Sequence, residues 1–235
     1  MDIDKINNRE ELIAYKSSGF NIHPSIALNE LYETRNYQGA NPENAKILFV
    51  GRDPNWHCDI DKMPVFSQVE EYLKDGIKFW RKYDIHHPFL SQNYKGDGRR
   101  YHKMFSKTNI DSSLADKISF VELIGFPTTG MSKKNDKEFK KKLISASNQK
   151  HLIQLDKILD AKNNFIFIAW GLLDDFRFIN KELGLFENFS NIDKNQLDIN
   201  DLNQIENIFI HKHFSDSISN NTIAKISNQV GKCLR

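Results

Sequence analysis

The sequence predicts an α/β protein: a three-layer α/β/α sandwich with a central, mostly parallel four-stranded sheet. Three observations lead there. Four short apolar runs, Ile47–Val50, Ile118–Ile124, Phe165–Ala169 and Ile208–Ile210, read as strands buried on both faces, as parallel strands are. Helical segments separate them, which suits the crossovers parallel strands need. Each run also ends in a polar or aromatic loop, and in an open α/β sheet the loops at the carboxyl ends of the strands line the ligand crevice.

The chain has 235 residues and a formal net charge of +2. That length buries a full core as one domain, taken as 1–235 with an N-terminal helical region over about 1–40. Near-neutral charge excludes a basic nucleic-acid coat, so any polyanion contact must be local. Arg99, Arg100, His102 and Lys103 form one basic cluster, and Lys133, Lys134, Lys137 and Lys140–Lys142 a second that reads as a solvated helix face. Cys58 and Cys233 are far apart, which argues against a disulfide framework, structural zinc or an iron–sulfur cluster. With no apolar leader or membrane span in the sequence, the expectation is a reduced, soluble, cytoplasmic protein without a membrane partner.

In chain order, residues 8–36 read as helical, interrupted at Gly19 and restarting near His23-Pro24-Ser25. Gln38–Asn44, with its Gly and Pro, reads as a loop into the first strand. That strand stops on Gly51 and delivers Arg52-Asp53-Pro54-Asn55-Trp56-His57, a stretch that on its own also reads as an ordinary turn. Val69–Tyr83 is predicted as one helix, residues 91–99 as a polar loop, and a further helix begins over Tyr101–Phe105. The second strand runs into Gly125–Met131, and Lys137–Leu159 is predicted helical. The third strand ends at Trp170-Gly171, residues 181–206 are ambiguous, and the fourth leads to His211–Ser217. A closing helix covers Ser219–Cys233, with Asn220 or Asn221 as N-cap.

Five motifs, in order, resemble the uracil-DNA glycosylase superfamily: Gly51-Arg52-Asp53-Pro54-Asn55-Trp56, Phe66-Ser67, Val121-Glu122-Leu123, Ile168-Ala169-Trp170-Gly171 and His213-Phe214-Ser215-Asp216-Ser217. They span residues 46–218. Departures accompany them. Asn55 stands where the family carries a ring that crowds out a 5-methyl group, Trp56 stands at its following His, and Glu122 at its base-reading Asn. Phe214 and Asp216 replace prolines, and Ser217 replaces a wedge leucine beside which lies Ile218.

The resemblance implies a cofactor-free, metal-free monofunctional glycosylase that acts on DNA as a monomer. Asp53 would hold water and stabilise the cationic sugar, and His213 would donate to the departing base, with His211 competing for that part. Phe66 would stack on the extruded base, with Asn55 and Trp56 beside it. Ser67, Thr128, Ser215, Arg99 and Arg100 would grip phosphates, and Ile218 would fill the vacated stack. Glu122 would choose the base. Ionised, it accepts only and favours an amino group over the uracil O4; buried and protonated, it can donate. With room left at C5 by Asn55, a modified or amino-bearing base is expected rather than plain uracil. Two other readings stand beside this one. One is a catalytically inactive nucleic-acid-binding protein of the same fold. The other is a metal-dependent phosphoesterase using His211, His213, Asp53, His57 and the His86-His87 pair.

Overall fold

A computed structural model describes residues 20–94, 96, 98–130 and 132–234. The strands are β1 (Asn21–Ile22), β2 (Tyr37–Gly39), β3 (Ile47–Gly51), β4 (Ile118–Glu122), β5 (Thr128–Thr129), β6 (Phe165–Ala169), β7 (Asn203–Ile205) and β8 (Ile208–His211). Helices are α1 (Ile26–Thr34), α2 (Phe66–Lys74), α3 (Gly76–Tyr83), α4 (Arg99–Ser106), α5 (Asp136–Leu143), α6 (Ala146–Asp160), α7 (Leu172–Leu183), α8 (Glu187–Ser190) and α9 (Asn220–Cys233). The part of the expected N-terminal helical region that falls on residues 1–19 lies outside the described residues.

All four predicted strands form, and all four are parallel, in the order β4-β3-β6-β8. The sheet nevertheless has six strands, not four: β2 pairs antiparallel with β4 and β7 antiparallel with β8, one at each edge. Neither edge strand shows the apolar run of a central strand. Tyr37–Gly39 ends on a glycine with φ 79°, which reads as a loop, and Asn203–Ile205 lies in an Asn- and Asp-rich stretch.

Alternation along the central strands builds two cores. Leu48, Val50, Val121, Ile166, Ile168 and Ile210 share one with buried residues of α5 to α8. On the opposite face Phe120, Phe49, Phe167 and Phe209 occupy matching register positions, so their rings form a row across the four parallel strands. Successive centroids are 5.6, 5.0 and 4.7 Å apart. Trp80, Phe105, Ile223, Ile226 and Val230, from α3, α4 and α9, cover that row. Each such ring or branched side chain contributes roughly 1.5–3 kcal/mol on full burial, so both faces are held by helices.

Three helix boundaries differ from expectation. Val69–Tyr83 is two helices, because Asp75 leaves helical geometry and accepts the Lys78 N–H at 3.0 Å as the cap of α3. Gly76 follows it where a Cβ would lie 2.7 Å from the backbone nitrogen of Gly39, so α3 starts in close approach to the edge strand. Lys137–Leu159 likewise breaks at Ile144-Ser145. Ser219, not Asn220 or Asn221, caps α9 by accepting the Thr222 N–H at 3.0 Å.

The topology fixes where a ligand can bind. From β3 the chain passes to β4 on one side, and from β6 it passes to β8 on the other. The loops therefore part between β3 and β6, and the crevice beyond their carboxyl ends is where ligands bind in open α/β sheets. Among the described residues, no helix is long and apolar enough to cross a membrane.

Candidate active site

The loop after β3 is strapped to the loop after β4. Leu123 and Ile124 donate to the carbonyls of Gly51 and Arg52, at 3.0 and 3.2 Å. Thr128 N–H donates to Pro54 O and Trp56 N–H to Thr128 O, both at 3.0 Å, while Asn55 bridges Thr128 in parallel fashion. Residues 52–56 and 123–128 thus advance together past the sheet edge, which sets Asp53 near Glu122.

Asp53 is half-buried and accepts the Thr128 hydroxyl at 2.9 Å, with the Ser132 side chain as a second partner. Burial pushes its carboxyl above the usual range, while those two partners and the Arg52 charge oppose the shift. Arg52 is a buttress. Its Nε and Nη2 meet Asp175 at 2.7 and 2.8 Å, Nη2 also meets Asp136 at 3.0 Å, and the guanidinium lies 4.0 Å over the Phe139 ring.

Glu122 ends β4 directly opposite Gly51. Its carboxyl folds back over that glycine: a Cβ at position 51 would stand 1.9 Å from Glu122 Oε2. A Cβ there would oblige the flexible end of the Glu122 side chain to move aside. The Glu122 carboxyl has no hydrogen-bond partner among the described residues, and burial, reinforced by the Asp53 charge, holds it well above the usual carboxylate range. At its backbone, His151 Nε2 donates to the carbonyl at 2.7 Å.

Three tyrosines lie within electrostatic reach of this acid. Tyr72 hydroxyl donates to Gln38 Oε1 at 2.9 Å; Gln38 Nε2 and Trp56 Nε1 then donate to the Tyr32 hydroxyl at 3.0 and 2.9 Å. Tyr101, on α4, packs its ring 5.3 Å from that of His213 and edge-on to Phe214. Burial raises the phenols of Tyr32, Tyr72 and Tyr101, and the Glu122 charge pushes each further. Sequence reasoning missed all three, because a buried tyrosine in a pattern of apolar residues looks like core.

The two histidines after β8 separate clearly. His211 is buried, packs on Phe214 at 4.9 Å and gives its Nδ1 proton to Lys212 O at 2.8 Å; burial pushes it down to about 4. His213 is half-buried in the loop, and its Nδ1 accepts the Ser215 N–H at 3.1 Å. Neutral His213 therefore carries its proton on Nε2, as a donor. Burial lowers its pKa; Asp216 opposes this, and Lys133 and Arg52 assist it.

Several predicted residues stand elsewhere than expected. Trp56 is 2% exposed, stacked 5.4 Å from the His87 ring with its N–H committed to Tyr32, so it braces the site from beneath and presents no face to a base. Thr128 is fully buried and serves Asp53, so it cannot hold a phosphate. Ile218 is 6% exposed in the core with Phe214 and Ile223, so it does not project as a wedge. Arg99 turns inward and donates to Tyr94 O at 2.6 Å, whereas Arg100 and Ser67 are exposed. Phe66 is half-buried at the start of α2, packed against the cluster containing Tyr32 and Trp56, and Ser215 is half-buried beside His213.

The residues of the metal reading are not brought together. His86 and His87 are buried and lie beside half-buried His102, with His87 and His102 stacked at 3.6 Å between centroids. Among the described residues, the group whose donor atoms converge is His57, Cys58 and Asp59. There His57 Nδ1 accepts the Asp59 N–H at 3.2 Å and Asp59 Oδ1 pairs with Lys62 at 3.0 Å, which leaves a poor donor set. No protein-family model, curated protein or solved structure matches the chain.

Proposed function

We propose that the chain is a monofunctional DNA glycosylase. It hydrolyses the N-glycosidic bond of a flipped-out damaged or modified base rather than plain uracil, without cofactor or metal, as a cytoplasmic monomer. On this reading the helices on both sheet faces form the three-layer sandwich of the uracil-DNA glycosylase superfamily. The observation that carries the reading is the meeting of Asp53 and Glu122 at the ends of β3 and β4, beside the point where the loops part.

In the reaction the C1′–N bond breaks and its electron pair leaves with the base. Water supplies the new oxygen at C1′ and a proton that ends on the base. Asp53, oriented by Thr128 and backed by Arg52, holds that water and faces the positive charge on the sugar. The Nε2–H of His213 is a neutral donor for the negative charge on the leaving base, where a donor of this kind is worth ~2.7–4 kcal/mol of barrier. Half-buried Phe66 supplies the ring nearest to the role of a stacking surface, and Asn55 leaves space at C5. Exposed Ser67 and Arg100 reach the backbone, where contacts position DNA without reading it.

The test uses oligonucleotides carrying uracil, hypoxanthine, thymine mismatches and 5-substituted uracils and cytosines, incubated in EDTA and then cleaved at abasic sites with alkali. Release of one base class, reduced roughly 10²–10⁴-fold in Asp53→Asn, is the expected result. Tight DNA binding without release by the wild type would instead identify a binding protein, and loss of release in EDTA would point to the metal reading.

A further inference from the structure

Two carboxyls share the site, and the chain treats them differently. Asp53 has the Thr128 hydroxyl, the Ser132 side chain and the Arg52 charge to support an anion. Glu122 has no donor among the described residues; it lies on the aromatic face, pressed over Gly51, with the Asp53 charge nearby. The other titratable groups that feel its charge are phenols, Tyr32 from α1, Tyr72 from α2 and Tyr101 from α4, while His151 from α6 engages its backbone alone. Tyr32 does not supply that donor: Gln38 and Trp56 occupy both lone pairs of its hydroxyl, and its O–H makes no hydrogen bond to Glu122. When two acids have environments this unequal, the supported one ionises and the other keeps the proton.

We propose that Glu122 works as a neutral carboxylic acid whose O–H and carbonyl oxygen read the edge of the extruded base, so that base choice depends on pH. This deepens the glycosylase reading and rests on it. A carboxylate only accepts, and it repels the carbonyl of a lactam edge, where C=O adjoins N–H. A neutral acid donates to that carbonyl and accepts from that N–H. The substrate class is therefore a lactam base, and Asn55, smaller than the ring that stands there in the resembling family, directs it to 5-substituted uracils or, among purines, hypoxanthine. Above the pKa of Glu122 that edge is refused.

Two measurements on wild type and Glu122→Gln test this. The infrared carbonyl band of a protonated carboxyl, recorded at neutral pH, should be present in wild type and missing in the variant. Release of hypoxanthine and 5-substituted uracils is then followed to alkaline pH, each protein scored by its own alkaline-to-neutral ratio so that absolute rates cancel. Wild type should fall toward about tenfold per pH unit beyond the Glu122 pKa, and the glutamine variant, which cannot ionise, should lack that limb. A missing band overturns the neutral acid. A band with identical ratios in the two proteins, or release by wild type of cytosine bases alone, overturns its part in reading the lactam. A band with no release from any substrate overturns the glycosylase reading on which the proposal rests.

Discussion

Replacing Glu122 by Gln tests the electrostatics of the site through folding alone. Its folded pKa is raised by burial and by Asp53, above an unfolded value of about 4.3. A carboxyl shifted upward favours the folded state while protonated. Its contribution is fully present below the unfolded pKa and is lost as pH rises through the folded one. Between those two values the loss approaches about 1.4 kcal/mol per pH unit. Glutamine has nearly the same shape and no proton to lose, so the stability of the variant relative to wild type should grow with pH over that window and then level.

For a chain of this length about 1 kcal/mol moves the unfolding midpoint by ~2–4 °C, so the midpoints should diverge by roughly 3–5 °C per pH unit. Thermal unfolding followed by circular dichroism at half-unit steps from pH 4.5 upward measures it. Asp53 and Asp175, whose carboxyls are also raised, contribute pH dependence of the same sign, but they are present in both proteins and cancel in the difference. Because the Asp53 charge contributes to the shift, the same comparison in an Asp53→Asn background should level at lower pH. Midpoint curves that run parallel between pH 5 and 7 would refute the reasoning, since they would mean that Glu122 titrates alike folded and unfolded.

Two further outcomes probe the frame around the site. Asp175→Ala leaves Arg52 with only its solvent-side partner Asp136, and breaking a buried pair of this kind costs roughly 3–5 kcal/mol, so the midpoint should fall by about 10 °C; a fall below about 2 °C would show that Asp136 suffices. Gly76→Ala would ordinarily gain ~0.5–1 kcal/mol in a helix, but here the added methyl meets the backbone of Gly39 at 2.7 Å, so chemical denaturation should show a net loss of about 1–3 kcal/mol.

The parallel sheet was legible because its four strands are buried on both faces, and burial writes itself into sequence as unbroken runs such as Phe165–Ala169. Its edges were not. β2 and β7 are three residues each, and their pairing rests on backbone bonds to β4 and β8 that any side chain tolerates. Asp75 and Gly76 interrupt a segment whose apolar spacing runs on unbroken, and the close approach of Gly76 to Gly39 is a tertiary contact that the spacing does not record. The order of motifs around strand ends singled out Asp53, Glu122 and His213, and the structure places all three at or just beyond the carboxyl ends of parallel strands. Trp56, Thr128 and Ile218 carried the right order and the wrong exposure, since a motif fixes position along the chain and not the direction of a side chain.

Gly51 and Glu122 show what kind of information remains hidden. They are far apart in sequence, and each alone has an ordinary reading, a strand-ending glycine and an acid at a strand end. Register makes them one feature: in the parallel pairing of β3 with β4 they are opposite, and the space a side chain at 51 would fill is the space the Glu122 carboxyl occupies. The length of the acid and the absence of a side chain opposite it therefore depend on each other. A residue at 51 with any Cβ would drive the carboxyl out of the seat where Asp53 and the tyrosines act on it. On the glycosylase reading, the carboxyl that meets the base takes its seat from a glycine on the neighbouring strand and its protonation from burial and the Asp53 charge.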